Sequence, residues 1–464
     1  MKISVVGAGL AGSECALQLA ALGYTVQLFE MRPTVSTPAH KSNDFAELVC
    51  SNSFGSLSET SAPGQLKWEA EQLGSFILKA AYIAQVPAGQ ALGVDREVFA
   101  RTITKMIQNN PMIQIRSETI TSLDQITGPC VIATGPLTHP DLIQSLQEHF
   151  GEKDFLYFFD AIAPILDTDS INMDIAWKAD RYGKGSADYI NCPLNKEQYF
   201  QFIDEIQKAK KIEPKHFETT SFFEGCMPIE TMVERGPHTL RFGPMKPVGL
   251  VNPRTGKDAY ATVQLRQDNK EATAYNMVGF QTRMSYGEQV RIFRTIPGLE
   301  KVEFLKLGSI HRNLYLNSPK LLAKNLSSKK NPLLFFAGQM TGVEGYFEST
   351  CIGLMVAKFM DDMMMKKSPS YPPRKTAMGS LLESITDETR IRHFQPTNIN
   401  MSLFPTPKAL DLKETPHLAT EKTLKKSWQI QQARKALVEW ASVNTQTQEQ
   451  NSYSFYNAQQ NLFS

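Results

Sequence analysis

The chain has 464 residues, with 49 Lys+Arg against 47 Asp+Glu, a formal charge of +2, 42% hydrophobic and 21% charged residues. These proportions suit a globular protein of two or three domains and exclude disordered, collagen-like and coiled-coil chains. The near-balance excludes a histone-like polycation, though not a local basic groove.

Lys2–Val6 reads as a short buried strand that runs into Gly7-Ala8-Gly9-Leu10-Ala11-Gly12. A helix follows through Ala16, Leu17, Leu19 and Leu22 and stops at Gly23. Thr25–Phe29 is the next strand, closing with Glu30. This is the G-x-G-x-x-G of a dinucleotide-binding unit. Gly7 makes the turn, Gly9 lets the backbone approach a pyrophosphate, and Gly12 lets helix and strand pack closely. The helix N-terminus supplies amides to the phosphates, and Glu30 can bind ribose hydroxyls.

Cys130-Val-Ile-Ala-Thr-Gly135 and Leu333-Leu-Phe-Phe-Ala-Gly-Gln339 are two further apolar strands. The latter, with Gly338 and Gln339, leads through Gly342 and Gly345-Tyr346 into a small-residue helix around Gly353. That pattern resembles the C-terminal FAD motif of two-dinucleotide-fold flavoproteins and would set a second helix N-terminus near the flavin. The expected fold class is α/β: an FAD-binding Rossmann-like domain of the two-dinucleotide-fold flavoprotein type, with an inserted mixed α/β domain and a C-terminal helical segment. The expected limits are 1–137 and 301–367 for the FAD domain, 138–300 for the insertion, 368–443 for linker and helix, and 444–464 for a polar, poorly ordered tail.

Within the insertion, Tyr199–Lys210 reads as a helix with Phe200, Ile203 and Ile206 on one face. Thr262–Arg266 and Met277–Gln281 alternate like strands. Glu421–Trp440 reads as an amphipathic helix carrying Leu424, Trp428, Leu437 and Trp440. No apolar run approaches the roughly 18–20 residues of a membrane helix. Ile3–Val6 lacks the flanks of a signal peptide. The 6 cysteines form no C-x-x-C. A cytoplasmic protein with free thiols is expected, with no metal and no membrane partner.

Cys15, Cys130 and Cys351 sit among small or apolar neighbours and read as buried packing residues, and Cys192 precedes Pro193 in an expected turn. Cys50, in Phe45-Ala-Glu-Leu-Val-Cys-Ser-Asn-Ser-Phe54, and Cys226, in Phe222-Phe-Glu-Gly-Cys-Met-Pro-Ile-Glu230, stand on loops beside polar or turn-forming residues. Such thiols can be exposed and deprotonated, which makes both candidates for catalysis.

The segments Val6–Glu14, Phe29-Glu-Met-Arg-Pro33, Ala46–Ser53, Val86-Pro-Ala-Gly89, Phe223–Glu230, Arg241–Leu250 and Phe336–Tyr346 carry a resemblance. The chain resembles the folate- and FAD-dependent tRNA (uracil-5-)-methyltransferases, the TrmFO family once called Gid, over nearly its whole length up to the late helix. Cys15 departs from the Ala expected there, and the Gln/Asn-rich tail has no counterpart.

The resemblance implies methylation of uracil C5 in the T-loop of tRNA. The carbon donor is 5,10-methylenetetrahydrofolate, the reductant is reduced FAD, and NADPH or NADH recharges it. Cys226 is then the thiol that adds to uracil C6, and Cys50 a second essential thiol, either the base at C5 or a guard of the flavin-bound methylene. The same chemistry on ribosomal RNA is the nearest alternative. A small-molecule flavin oxidoreductase leaves both cysteine segments unexplained; an RNA-binding scaffold that holds FAD structurally is the non-enzyme reading, and bleaching of a bound flavin by NADPH would argue against it. The state of assembly, including a homodimer, is left open.

Basic residues from Lys246 to Lys324, interleaved with Tyr260, Tyr275, Phe280 and Tyr286, offer an RNA surface or, more simply, solvated charge around core aromatics. Lys422, Lys425, Lys426, Arg434 and Lys435 form a second basic cluster, and Arg283 suits a folate carboxylate.

Overall fold

The computed structural model describes residues 2–37, 39–151, 156–161, 163–183, 186–212, 227–407, 417 and 421–446. Its first layer is a five-stranded parallel sheet in the order Leu334–Phe336, Cys130–Ile132, Lys2–Val6, Thr25–Phe29, Ile113–Arg116. Val5 pairs with Leu28 on one side and Val131 on the other. Both faces of such a sheet are covered, which is why Ile3, Ser4, Val5 and Val6 are all buried.

The helix Leu10–Ala21 is buried along most of its length and ends before Gly23, whose φ is +88°. It lies against the helix Tyr346–Met364. The two backbones approach so closely at Gly353 that a Cβ there would stand 2.2 Å from the Ala11 carbonyl oxygen. The start and the late part of the chain thereby form one core. Glu14, fully buried on the first helix, accepts the amides of Phe76 and Ile77 and so caps the helix Phe76–Ile83. Glu69 does the same for Ala377 and Met378 at the start of the helix Ala377–Thr386.

The second core is built on a six-stranded antiparallel sheet, ordered Trp177–Lys178, Tyr189–Leu194, Ala261–Gln267, Ala274–Met277, Ile165–Asp167, Phe304–Lys306. The helix Lys196–Lys208 buries Tyr199, Phe202, Ile203 and Ile206, whereas Phe200, expected on the core face, is half-buried. Met277–Gln281 is not a strand. The strand is Ala274–Met277, and Gly279 at φ +75° turns the chain out of it. Cys192 is not in a turn either: it lies inside Tyr189–Leu194, where Pro193 faces Thr262 in register. A two-stranded antiparallel ribbon pairs Leu156–Ala161 with Ile310–Tyr315, and Leu314 and Tyr315 pack into the first core. By core membership, the helix Pro140–Phe150 goes with the first core through Leu142, Leu146 and Phe150, and Val302 goes with the second.

The last helix, Lys422–Gln446, packs on Ala62–Gln72 through Ile430, Ala433 and Leu437. Leu424 is exposed rather than part of that face, and Trp440 donates its indole N–H to Ser370. This helix continues into the segment expected to lack order, and 447–464 lie outside the described residues. Among the described residues no helix is long and apolar enough to cross a membrane.

Candidate flavin and thiol site

The three glycines of the first turn answer to different demands. Gly7 has φ +98°, and a Cβ there would stand 2.6 Å from the Ala133 oxygen. At Gly12 it would stand 1.8 Å from the Gly7 oxygen, so close packing alone requires glycine. Gly9 has φ −73° and ψ −170°, a conformation open to any residue, and nothing lies within 4 Å of its added Cβ. The protein itself does not need glycine there, and the bare backbone leaves room for a ligand to lie against it.

The turn opens on a cleft of about 570 Å³ lined by Gly7, Gly9, Glu30, Thr119, Thr134 and Thr138, among others. Glu30 is buried, accepts the Ala8 N–H at 2.9 Å and pairs with Arg32 at 3.0 Å. Thr119 Oγ1 is buried without a partner, an orphaned donor on the cleft wall. His40, on the same cleft, is pushed down to about 4 by burial and then by the Arg32 charge, which keeps it neutral at pH 7. These residues fit a dinucleotide: Gly7–Gly12 and the helix start for the pyrophosphate, Glu30 for a ribose. Ala8, Leu10 and Ala11 supply the turn and the first helical residues. Gly338, at φ +78°, abuts Ala11, and Gln339 donates to Glu344 at 2.7 Å.

Cys50 stands between the two halves of this fold. Its loop is tied to the glycine turn, where the Ala46 N–H donates to the Ala8 oxygen at 2.8 Å. Ala46 itself has φ +52°, a strained conformation for an L residue. The loop is also tied to the late helix, because the backbone N–H groups of Cys50 and Ser51 both donate to the Tyr346 hydroxyl. Burial, then the Cys50 charge, pushes the Tyr346 phenol far above its usual range, so it stays protonated.

Cations surround the half-buried thiol. Arg96 donates to the Leu48 and Cys50 carbonyl oxygens and bridges to Asp268 at 3.0 Å. Arg266 donates to Asn52 and Ser51. Lys306 donates to the Val49 oxygen at 3.0 Å and is pushed down to about 8 by burial and then by Arg96. Three basic side chains thus converge on the backbone and neighbours of the thiol-bearing residue.

The family model described as "Glucose inhibited division protein A" matches residues 2–368. A Bdellovibrio bacteriovorus protein named "Methylenetetrahydrofolate--tRNA-(uracil-5-)-methyltransferase TrmFO" is 67% identical over 95% of this chain and 98% of its own. The chain belongs to the TrmFO family. A Koribacter versatilis protein of the same name is 49% identical over 92% of this chain and 97% of its own. The solved structure of Aquifex aeolicus GidA has a TM-score of 0.62 at 18% identity, covering 83% of this chain and 69% of its own, a likeness of fold.

Of the two thiols singled out by the TrmFO resemblance, Cys50 is at the junction just described, and Cys226 lies outside the described residues. The residues flanking that segment are held to one another's neighbourhood: Ile212 N–H donates to the Arg283 oxygen and Ile229 N–H to the Gln281 oxygen. Arg283 pairs with Glu234 through Nη2 at 3.4 Å, while its Nε is buried without a partner.

Cys15, Cys130, Cys192 and Cys351 are buried, and burial pushes each thiol up. The interleaved basic and aromatic stretch is not one surface. Tyr275 and Phe280 are core residues, Arg254 is spent on backbone oxygens of Met173 and Ile175, and Arg291 pairs with Glu205 and Glu288. Arg96, Lys306 and Tyr346 were assigned no role from sequence. Tyr346 closes the Phe336–Tyr346 segment and could have been flagged; Arg96 comes from a helix of the same core as Cys50, and Lys306 reaches the loop from the antiparallel sheet.

Proposed function

We propose that this chain methylates uracil C5 in tRNA, with 5,10-methylenetetrahydrofolate as carbon donor, FAD as the bound redox group and NADPH or NADH as the reductant. The observation that carries the reading is the anchoring of Cys50 between the FAD-type glycine turn and the start of the helix Tyr346–Met364, amid Arg96, Arg266 and Lys306.

Uracil C5 is a weak nucleophile. In the proposed sequence the Cys226 thiolate adds to C6, which leaves C5 enolate-like and able to form the new carbon–carbon bond. The bond between the transferred carbon and its carrier nitrogen breaks and the amine leaves as the C5 proton passes to a base; once the carbon is reduced, the C6–sulfur bond breaks to restore the ring and the thiolate. Reduced FAD supplies the two electrons that take the one-carbon unit from the formaldehyde to the methyl level. Gly7–Gly12 and Glu30 hold the dinucleotide, with Gly338 and Gln339 at the second helix start. Cys50 serves as the C5 base or guards the one-carbon unit, and its cationic surroundings support either role. The unpartnered Arg283 Nε supports a contact with a folate carboxylate.

Incubation of the purified flavoprotein with tRNA and ribosomal RNA transcripts, the folate donor and NADPH or NADH, followed by mass mapping, tests this reading. 5-Methyluridine in the tRNA T-loop is expected. Modification of ribosomal RNA alone would move the substrate, and no modification of either would overturn the reading.

A further inference from the structure

Phe242 is 74% exposed, the barest large apolar side chain among the described residues. It does not sit on a loose loop. Leu240, two residues before it on the turn Thr239–Phe242, is fully buried in the second core. The fully buried Tyr199 fixes the same turn: its hydroxyl donates to the Pro237 oxygen at 2.9 Å and accepts the Arg241 N–H at 3.2 Å. The Arg241 guanidinium donates to the Tyr260 oxygen at 2.8 Å and lies 4.4 Å from the centre of the Tyr260 ring and 5.9 Å from that of Phe242. A rigid scaffold thus holds one aromatic ring out in water, beside an open hollow of about 800 Å³ lined by Gly236, Pro237, His238, Thr239 and Gly243.

The surroundings say what such a ring meets. Between Glu234 and Asp258 the sequence carries Arg235, Arg241, Lys246 and Lys257, besides the Arg254 already bound to backbone oxygens, and no carboxylate. A single ring within a cationic, acid-free stretch suits a polyanion with flat apolar faces better than it suits an apolar protein surface. The turn packs against the helix Ile229–Glu234, which starts soon after Cys226 in the chain.

We propose that Phe242 is a stacking platform for an unpaired nucleobase of the RNA substrate, with the hollow beside it receiving that nucleotide. The inference rests on the tRNA reading above and adds the point of contact. Phe242 is a recognition residue and takes no part in bond making.

The test uses the full-length flavoprotein and a T-arm minihelix. Phe242→Ala raises the minihelix Kd and KM about tenfold. It leaves kcat, FAD content and melting temperature unchanged. Phe242→Trp keeps the affinity, and its added indole emission falls as minihelix is titrated in. An unchanged Kd in Phe242→Ala overturns the proposal. So does a change in sedimentation of that variant at unchanged Kd, which would assign the ring to a protein interface. Because Kd is read without turnover, wild-type protein that forms no 5-methyluridine would overturn the functional reading separately.

Discussion

The Tyr346 hydroxyl oxygen accepts the Cys50 N–H at 2.7 Å, joining positions 296 residues apart. It also accepts the Ser51 N–H at 3.1 Å. One buried phenol therefore sets where the thiol-bearing loop meets the start of the helix Tyr346–Met364.

Tyr346→Phe removes that acceptor and leaves two part-buried amides without it. Stability in denaturant melts falls by about 1–3 kcal/mol. Methyl transfer drops at least about tenfold, since a loosened loop misplaces the thiol. Flavin absorbance per protein stays at the wild-type level. Wild-type turnover in the variant would remove Tyr346 as the anchor of Cys50.

Gly9→Val and Gly12→Ala separate two demands on one turn. Gly9→Val has room in the protein and a permitted backbone conformation, so it folds with a near-native melting temperature and loses FAD. Gly12→Ala meets the Gly7 oxygen and loses the fold. Flavin absorbance and thermal melts on both read the difference. A fully flavinylated Gly9→Val protein would contradict the proposed ligand placement.

Burial pushes the Glu69 carboxyl up to about 7, against hydrogen bonds from Gln65, Met378 and Ala377 that lower it. A folded-state value raised above the unfolded value of about 4.3 means that the native state holds the proton longer. Its contribution is complete below about pH 4.3 and is lost as pH rises to about 7, by as much as about 3 kcal/mol. Glu69→Gln cannot titrate. The stability of wild type relative to this variant should fall between pH 4.5 and 7, as read by urea melts across that range; a flat difference would refute the assignment.

A minihelix carrying 5-fluorouracil at the target position cannot lose a C5 proton, so thiolate addition at C6 becomes a trap. Wild type and Cys50→Ala should form a covalent protein–RNA adduct, with Cys50→Ala slower. Cys226→Ala should form none while retaining FAD. Denaturing gels with peptide mapping of the adduct decide which sulfur is attached.

What the sequence disclosed follows from how local each feature is. The turn Gly7–Gly12 and Glu30 sit within one strand–helix–strand unit, so spacing alone identified them. The late strand Leu334–Phe336 was equally plain, because an apolar run ending in Ala-Gly is a local pattern. Met277–Gln281 alternates well enough to mimic a strand, yet Gly279 has a positive φ and ends it. Leu424 keeps the helical period but falls on the exposed side of a helix whose buried contacts start at Gln429 and Ile430. The cations around Cys50 were hidden for a different reason. Arg266 meets Asn52 across a separation of 214 residues, and no pattern near either residue encodes the docking of two cores.

The pairing of the helices Leu10–Ala21 and Tyr346–Met364 also bears on how the chain assembles. Tyr24 and Asp361, which bond across 337 residues, lie near the far ends of the interval that the parallel sheet must close. The antiparallel sheet has a separate core formed wholly within that interval, so it can condense while the helix Leu10–Ala21 still waits for its late partner. During translation the face of the opening helix that meets Tyr346–Met364 stays uncovered until that late helix has left the ribosome. Destabilising the inserted domain should therefore lower the yield of flavoprotein even where every cofactor contact is intact.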